Sequence, residues 1–116
     1  MSELLLSLQS FQSEVNKNDG VKKLTKNWNP RMIIQSSNSE EVYTLAIQES
    51  AISEIIAGEV ASAHEIRIEG DAEILRDVFN GKTNPAEAVL NGEIAVYGEQ
   101  SDQIKLDAIS LVIWGL

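Results

Sequence analysis

The sequence predicts an α+β fold, with helices covering one face of a single sheet. Three observations lead there. Near both ends of the chain apolar residues recur every three or four positions, the spacing of a helix laid on a core. From Arg31 to Glu69 the period drops to two, as in strands with one buried and one wet face. The stretch Gly70 to Gly98 then inserts two glycine-stopped helices before a last strand. The expected order is two helices, four strands, two helices, one strand and one helix.

Taken in order, Leu4, Leu8, Phe11 and Val15 form one apolar stripe on a helix of about fifteen residues, too short for a coiled coil. Packing on the domain is the expectation, with Asn18-Asp19-Gly20 as the break. A short second helix carries Val21, Leu24 and Trp28 on one face and ends before Asn29-Pro30, because the residue before proline avoids helical geometry. Arg31 to Ser36 and Val42 to Gln48 flank the polar turn Ser37-Asn38-Ser39-Glu40 and read as a hairpin. Tyr43, Leu45 and Ile47 share a face of its second strand. A third strand spans roughly Ala51 to Ala57 and stops at Gly58; in the fourth, His64, Ile66 and Ile68 point one way and Glu65, Arg67 and Glu69 the other.

A helix then runs from about Asp71, a possible cap, to Asn80, with Leu75 and Phe79 on its buried side, Ile74 and Val78 adjoining, and Gly81 as its stop. Asn84, Pro85 and Glu87 make a good second start: a capping side chain, a proline at the first helical position, and an acid near the positive end of the dipole. Gly92 supplies its left-handed exit. Ile94 and Val96 alternate along a strand from Glu93 to Tyr97. From Ser101 a last helix is expected to bury Ile104, Ala108, Leu111 and Val112 and to run out at Trp114-Gly115-Leu116.

Composition narrows the function. Residues 1–116 read as one domain, with 1–19 an N-terminal helical extension, and the 43% apolar content is enough for one real core. A net charge of −9 argues against a nucleic-acid partner, whose phosphates demand clustered Lys and Arg. The imbalance sits in residues 32–116, at −11; residues 1–31 balance at +2, which reads as a solvated face with a basic corner, the alternative being a docking corner for an anionic partner or lipid headgroup. With no cysteine, thiolate chemistry is excluded. The N-terminus lacks a basic region before its short apolar run, and Leu111 to Trp114 falls far short of the roughly 20 apolar residues a membrane span needs. The expectation is a cytoplasmic protein without stable membrane insertion.

No constellation for reaction chemistry stands out. His64, the one histidine, reads as a structural imidazole at a strand start, with no cysteine for a nucleophile and no glycine-flanked serine nearby. Gly81-Lys82-Thr83 resembles the end of a phosphate loop, but that motif needs a glycine where Arg76 stands, and a preceding strand rather than a helix. Glu69, Asp71, Glu73 and Asp77 lack the alternating spacing of a calcium loop, so a solvated helix face is the expectation. Neither a metal nor a cofactor is expected. What remains is apolar surface: a helix–turn–helix of aliphatics on a sheet either fills its own core or leaves a cavity.

One stretch weighs between these. Gly81-Lys82-Thr83-Asn84-Pro85, followed by Ala88-Val89-Leu90-Asn91-Gly92 and the alternating Glu93-Ile94-Ala95-Val96-Tyr97-Gly98, resembles the signature of the sterol carrier protein 2 (SCP-2) family. The resemblance extends over roughly residues 20 to 116. It implies a five-stranded, mostly antiparallel sheet whose helices enclose an apolar tunnel for a long-chain lipid: a fatty acid, a fatty acyl-CoA or a sterol. Members bind and transfer such ligands without breaking bonds. Carried onto this chain, it implies a lining of Leu75, Phe79, Val89, Leu90, Ile94 and Val96, with Leu45, Ile47, Ile66 and Ile68 on the sheet. The last helix would close one side through Ile104, Leu111 and Trp114. The chain departs from the family at Val89-Leu90, where Phe-Met is common, and in a fifth strand that carries Glu93, Ala95 and Tyr97 rather than lysines. The alternative is an accessory or interaction module with the same fold, a filled core and no lipid.

Overall fold

A computed structural model describes residues 2–115; Leu116, the expected end of the last helix, lies outside the described residues. Helices α1 (Glu3–Lys17) and α2 (Asp19–Leu24) lead into β1 (Arg31–Ser36), β2 (Val42–Gln48), β3 (Ala51–Ala57) and β4 (Glu65–Gly70). Then come α3 (Ala72–Phe79), α4 (Pro85–Leu90), β5 (Ile94–Tyr97) and α5 (Gln100–Trp114). The strands form one mixed sheet in the order β3-β2-β1-β4-β5. Only the central β1–β4 pair is parallel, with Met32 opposite Ile66 and Ile34 opposite Ile68.

A parallel neighbour needs a crossover, and residues 58–64 provide it over the outer face of the sheet. Thr44 Oγ1 donates to the Gly58 carbonyl at 2.8 Å and accepts from the Val60 amide at 3.0 Å. Arg67 on β4 clamps Glu59 at 2.7 Å, and that bond holds its guanidinium above the usual arginine range. Ile33 and Thr44 on the outer face are therefore fully buried, so β1 is apolar on both sides, as a central strand should be.

The helices cover the other face. The α1 stripe of Leu4, Leu8, Phe11 and Val15 is buried in the same apolar cluster as the sheet residues Leu45, Ile47, Ile52 and Ile66. Polar anchors fix its register against β3: Asn16 exchanges two hydrogen bonds with the Ile52 backbone, at 2.8 and 3.0 Å, and Gln12 donates to the same carbonyl. Glu3 pairs with Arg76 and so ties the start of α1 to α3.

Three local expectations change. The break after α1 is a single residue. Asn18 leaves helical geometry and caps α2 through the Val21 amide at 3.0 Å, while Asp19 and Gly20 are helical. Helix α2 then ends at Leu24, so Trp28 sits beyond it, buried. At α3 the N-terminus is capped from outside: Asp71 accepts from Ser37 instead, and the Ala72 amide donates to Asn38 of the β1–β2 turn at 2.9 Å.

The larger correction concerns α5. Ile104, Leu111 and Val112 are exposed, and the buried side carries Asp102, Ile109 and Ser110, with Leu106, Ile113 and Trp114 half-buried. Apolar residues lie nearly all round this helix, so periodicity does not specify its inward face. A polar contact does: Trp28 Nε1 donates to Asp102 Oδ1 at 2.7 Å in a buried hydrogen bond.

Candidate functional site

The inner sheet face is divided between two sets of helices. Helix α1 lies over the β3 side and consumes the side chains there. Under α3, α4 and α5, next to β4 and β5, a cavity of about 370 Å³ is left. This is within the size range of small-molecule pockets. Its floor is buried: Phe11 from α1, Met32 from β1, Ile68 from β4, Val78 and Phe79 from α3, and Ile94 from β5. Its rim is exposed and carries Ala86, Val89 and Leu90 from the short α4.

The aromatic corner of the floor follows from one glycine. Gly81 adopts φ 75°, which an L side chain rarely takes, and a Cβ there would meet the Trp114 indole at 2.5 Å. The bare backbone lets Trp114 lie against the end of α3. Its ring centroid is 5.7 Å from that of Phe11, which in turn packs edge-on against Phe79 at 5.1 Å. Three helices thus meet through three rings.

At the opposite wall, α4 is fixed by its caps rather than by burial. Asn84 accepts from the Ala86 and Glu87 amides, and Gly92 turns the chain out at φ 72°. Only Ala88 of this helix is buried; Leu90 is 84% exposed. Val89 and Leu90 therefore edge the opening rather than point into a closed core.

Of the residues expected to line an apolar space, Ile68, Phe79, Val89, Leu90, Ile94, Val96 and Trp114 are brought together around this cavity. Leu45, Ile47, Ile66 and Leu75 are not on its wall. They are buried in the main cluster, whose β3 side the α1 stripe covers. Leu111, expected to close one side, is 59% exposed, as is Ile104, because α5 is rotated as described above. The residues not anticipated are Phe11, Met32 and Val78 on the floor, Pro85 and Ala86 on α4, and Gln103, Leu106, Asp107 and Ser110 on α5. A signal for the last group was present: Gln103, Asp107 and Ser110 fall at i, i+4 and i+7, a polar strip that continues into the apolar second half of the helix.

His64 stands outside the cavity wall. It precedes β4 rather than facing the core, and its half-exposed ring places Nε2 2.9 Å from Asp102 Oδ2. The neighbouring Ser62 hydroxyl accepts from the His64 backbone amide at 3.3 Å. The imidazole and the Trp28 indole thus share one carboxylate, an arrangement that anchors α5. Among the described residues no group of three or more His, Cys, Asp or Glu could hold a metal ion. No helix among them is long and apolar enough to cross a membrane.

No protein-family model matches the chain, and no curated protein matches it either. Solved structures do. The sterol carrier protein domain 2 of Helicoverpa armigera superposes with a TM-score of 0.79 at 14% identity, covering 98% of this chain and 90% of that one. A crystal structure of sterol carrier protein 2 gives 0.68 at 14% identity, with 96% and 95% covered. The inverting sec-alkylsulfatase Pisa1 from Pseudomonas sp. matches 79% of this chain through 14% of its own, at a TM-score of 0.63 and 10% identity. The chain has the SCP-2-like fold.

Proposed function

We propose that this chain is a non-catalytic binding protein for a long-chain lipid, which it holds in the cavity beside β4 and β5 and transfers intact. The observation that carries the reading is the wall itself: about 370 Å³ bounded by aliphatic and aromatic side chains, polar only at Gln103, Asp107 and Ser110. Each buried methylene is worth about 0.8 kcal/mol, so an acyl or alkyl chain needs no elaborate polar site to bind at micromolar levels, which takes about 8 kcal/mol net. The fold of the sterol carrier neighbours supports the same reading. Cytoplasmic residence without nucleic-acid partners or membrane insertion belongs to the proposal and is consistent with the charge of −9.

The test is native mass spectrometry of the protein purified gently from its own host, paired with displacement of a fluorescent lipid. A bound mass in the lipid range is expected, with saturable one-to-one displacement. Ala86→Trp places a large ring at the exposed rim, where folding does not depend on the small side chain, and is expected to weaken binding at least tenfold. A protein that carries no lipid and shows no saturable displacement instead fits the filled-core accessory reading.

A further inference from the structure

The polar groups on the cavity wall all present acceptors. Gln103, Asp107 and Ser110 form one strip along about 10 Å of α5. Ser110 is 6% exposed, and its hydroxyl donates its one proton to the Asp107 carbonyl at 2.9 Å, so only lone pairs remain. Gln103 commits one amide proton to the Gly98 carbonyl at 3.1 Å and keeps its own carbonyl oxygen and one further N–H. The carboxylate of Asp107, exposed at the rim, accepts only.

No counterweight is present. Among the described residues no Lys, Arg or His lines the cavity. Lys105, on the same helix, donates to the Leu24 carbonyl at 3.0 Å and lies over the Trp28 ring. A carboxylate or phosphate headgroup placed against this strip meets lone pairs and the like charge of Asp107, with the second Gln103 N–H as the one neutral donor to offset them. A hydroxyl finds acceptors at the mouth and partway down the wall.

We infer that the ligand is an uncharged lipid whose headgroup donates a hydrogen bond, selected against fatty-acid anions and acyl-CoA by the acceptor strip Gln103, Asp107 and Ser110. The inference rests on the lipid-binding reading above and narrows it to a headgroup class.

The experiment loads the full chain with Nile red, a neutral probe, at pH 7.4 and displaces it with dodecan-1-ol, laurate or dodecyl methyl ether. Dodecanol is expected to compete about tenfold more tightly than laurate, equivalent to about 1.4 kcal/mol. The ether, which has no donor, should compete less well than the alcohol. Asp107→Lys should reverse the order of alcohol and laurate, and Asp107→Asn, which changes no volume, should narrow the gap should the lysine variant fold poorly. Ser110→Ala should bring alcohol and ether together. Laurate competing as well as dodecanol, or a ratio indifferent to both Asp107 variants, overturns the headgroup inference and leaves lipid binding standing. No displacement by any of the three overturns both.

Discussion

Asp102 shows how much of this molecule hangs on single polar contacts. It is 4% exposed, yet it carries a carboxylate, and burial of a charge is tolerated only with partners. The Trp28 indole supplies one at 2.7 Å and the His64 ring another at 2.9 Å. The two are not equal. The indole bond is buried, whereas the imidazole side chain is 45% exposed and its pairing is screened by water. Asp102→Ala is therefore expected to cost about 2–3 kcal/mol, since it strands the buried indole N–H. Asp102→Asn keeps an acceptor for Trp28 and should cost about 1 kcal/mol, and His64→Ala less than about 1 kcal/mol. Urea unfolding followed by tryptophan fluorescence gives the ranking; a His64 variant as damaged as Asp102→Ala would contradict it.

At the scale of elements, the same contact decides which side of α5 faces in. Ile109 is buried and Leu111, two residues on, is 59% exposed, although both are large aliphatics on one helix. Ile109→Ala should lose about 2–5 kcal/mol and Leu111→Ser should stay within about 0.5 kcal/mol, a difference that thermal or urea denaturation resolves easily. With apolar residues nearly all round α5, periodicity does not separate these two positions, and the expectation that Leu111 is buried is the one that fails. Strands were more legible because alternation has only two phases: β1, β2 and β3 begin and end where the pattern of Ile, Val and polar residues places them. Caps were legible where the side chain acts on its own helix, as Asn84 does, and illegible where it acts across the fold, as Asn38 does on Ala72. The cavity was half legible. Alternation put Leu45, Ile47, Ile66 and Ile68 on the inner face, but a period of two carries no information on how far α1 reaches across that face. Only Ile68 of the four is left at the cavity, because the first three lie where other side chains fill the space.

On the scale of the whole molecule, the cavity coexists with ordinary compactness. The radius of gyration is 12.7 Å, against about 13 Å expected for a chain of this length. The space is therefore local, a result of two helix sets sharing one sheet face, and not the sign of a loosely packed chain. That geometry would, on the lipid-binding proposal, make a lipid a missing piece of core, contacting α1, α3, α4, α5 and three strands at once. Under the binding reading, a ligand that requires this assembled wall has no affinity for the unfolded chain, so it must stabilise the fold. At about a hundred times its dissociation constant a dodecanol-like ligand should add about 2.7 kcal/mol, and for a domain this size raise Tm by about 10 °C. The rise should grow logarithmically with ligand concentration and shrink sharply in Ala86→Trp, measured by scanning calorimetry on both proteins. Adsorption to the exposed Leu90, Ile104 or Leu111 gives the opposite signature, because an unfolded chain offers such surface more freely and Tm then falls as ligand is added.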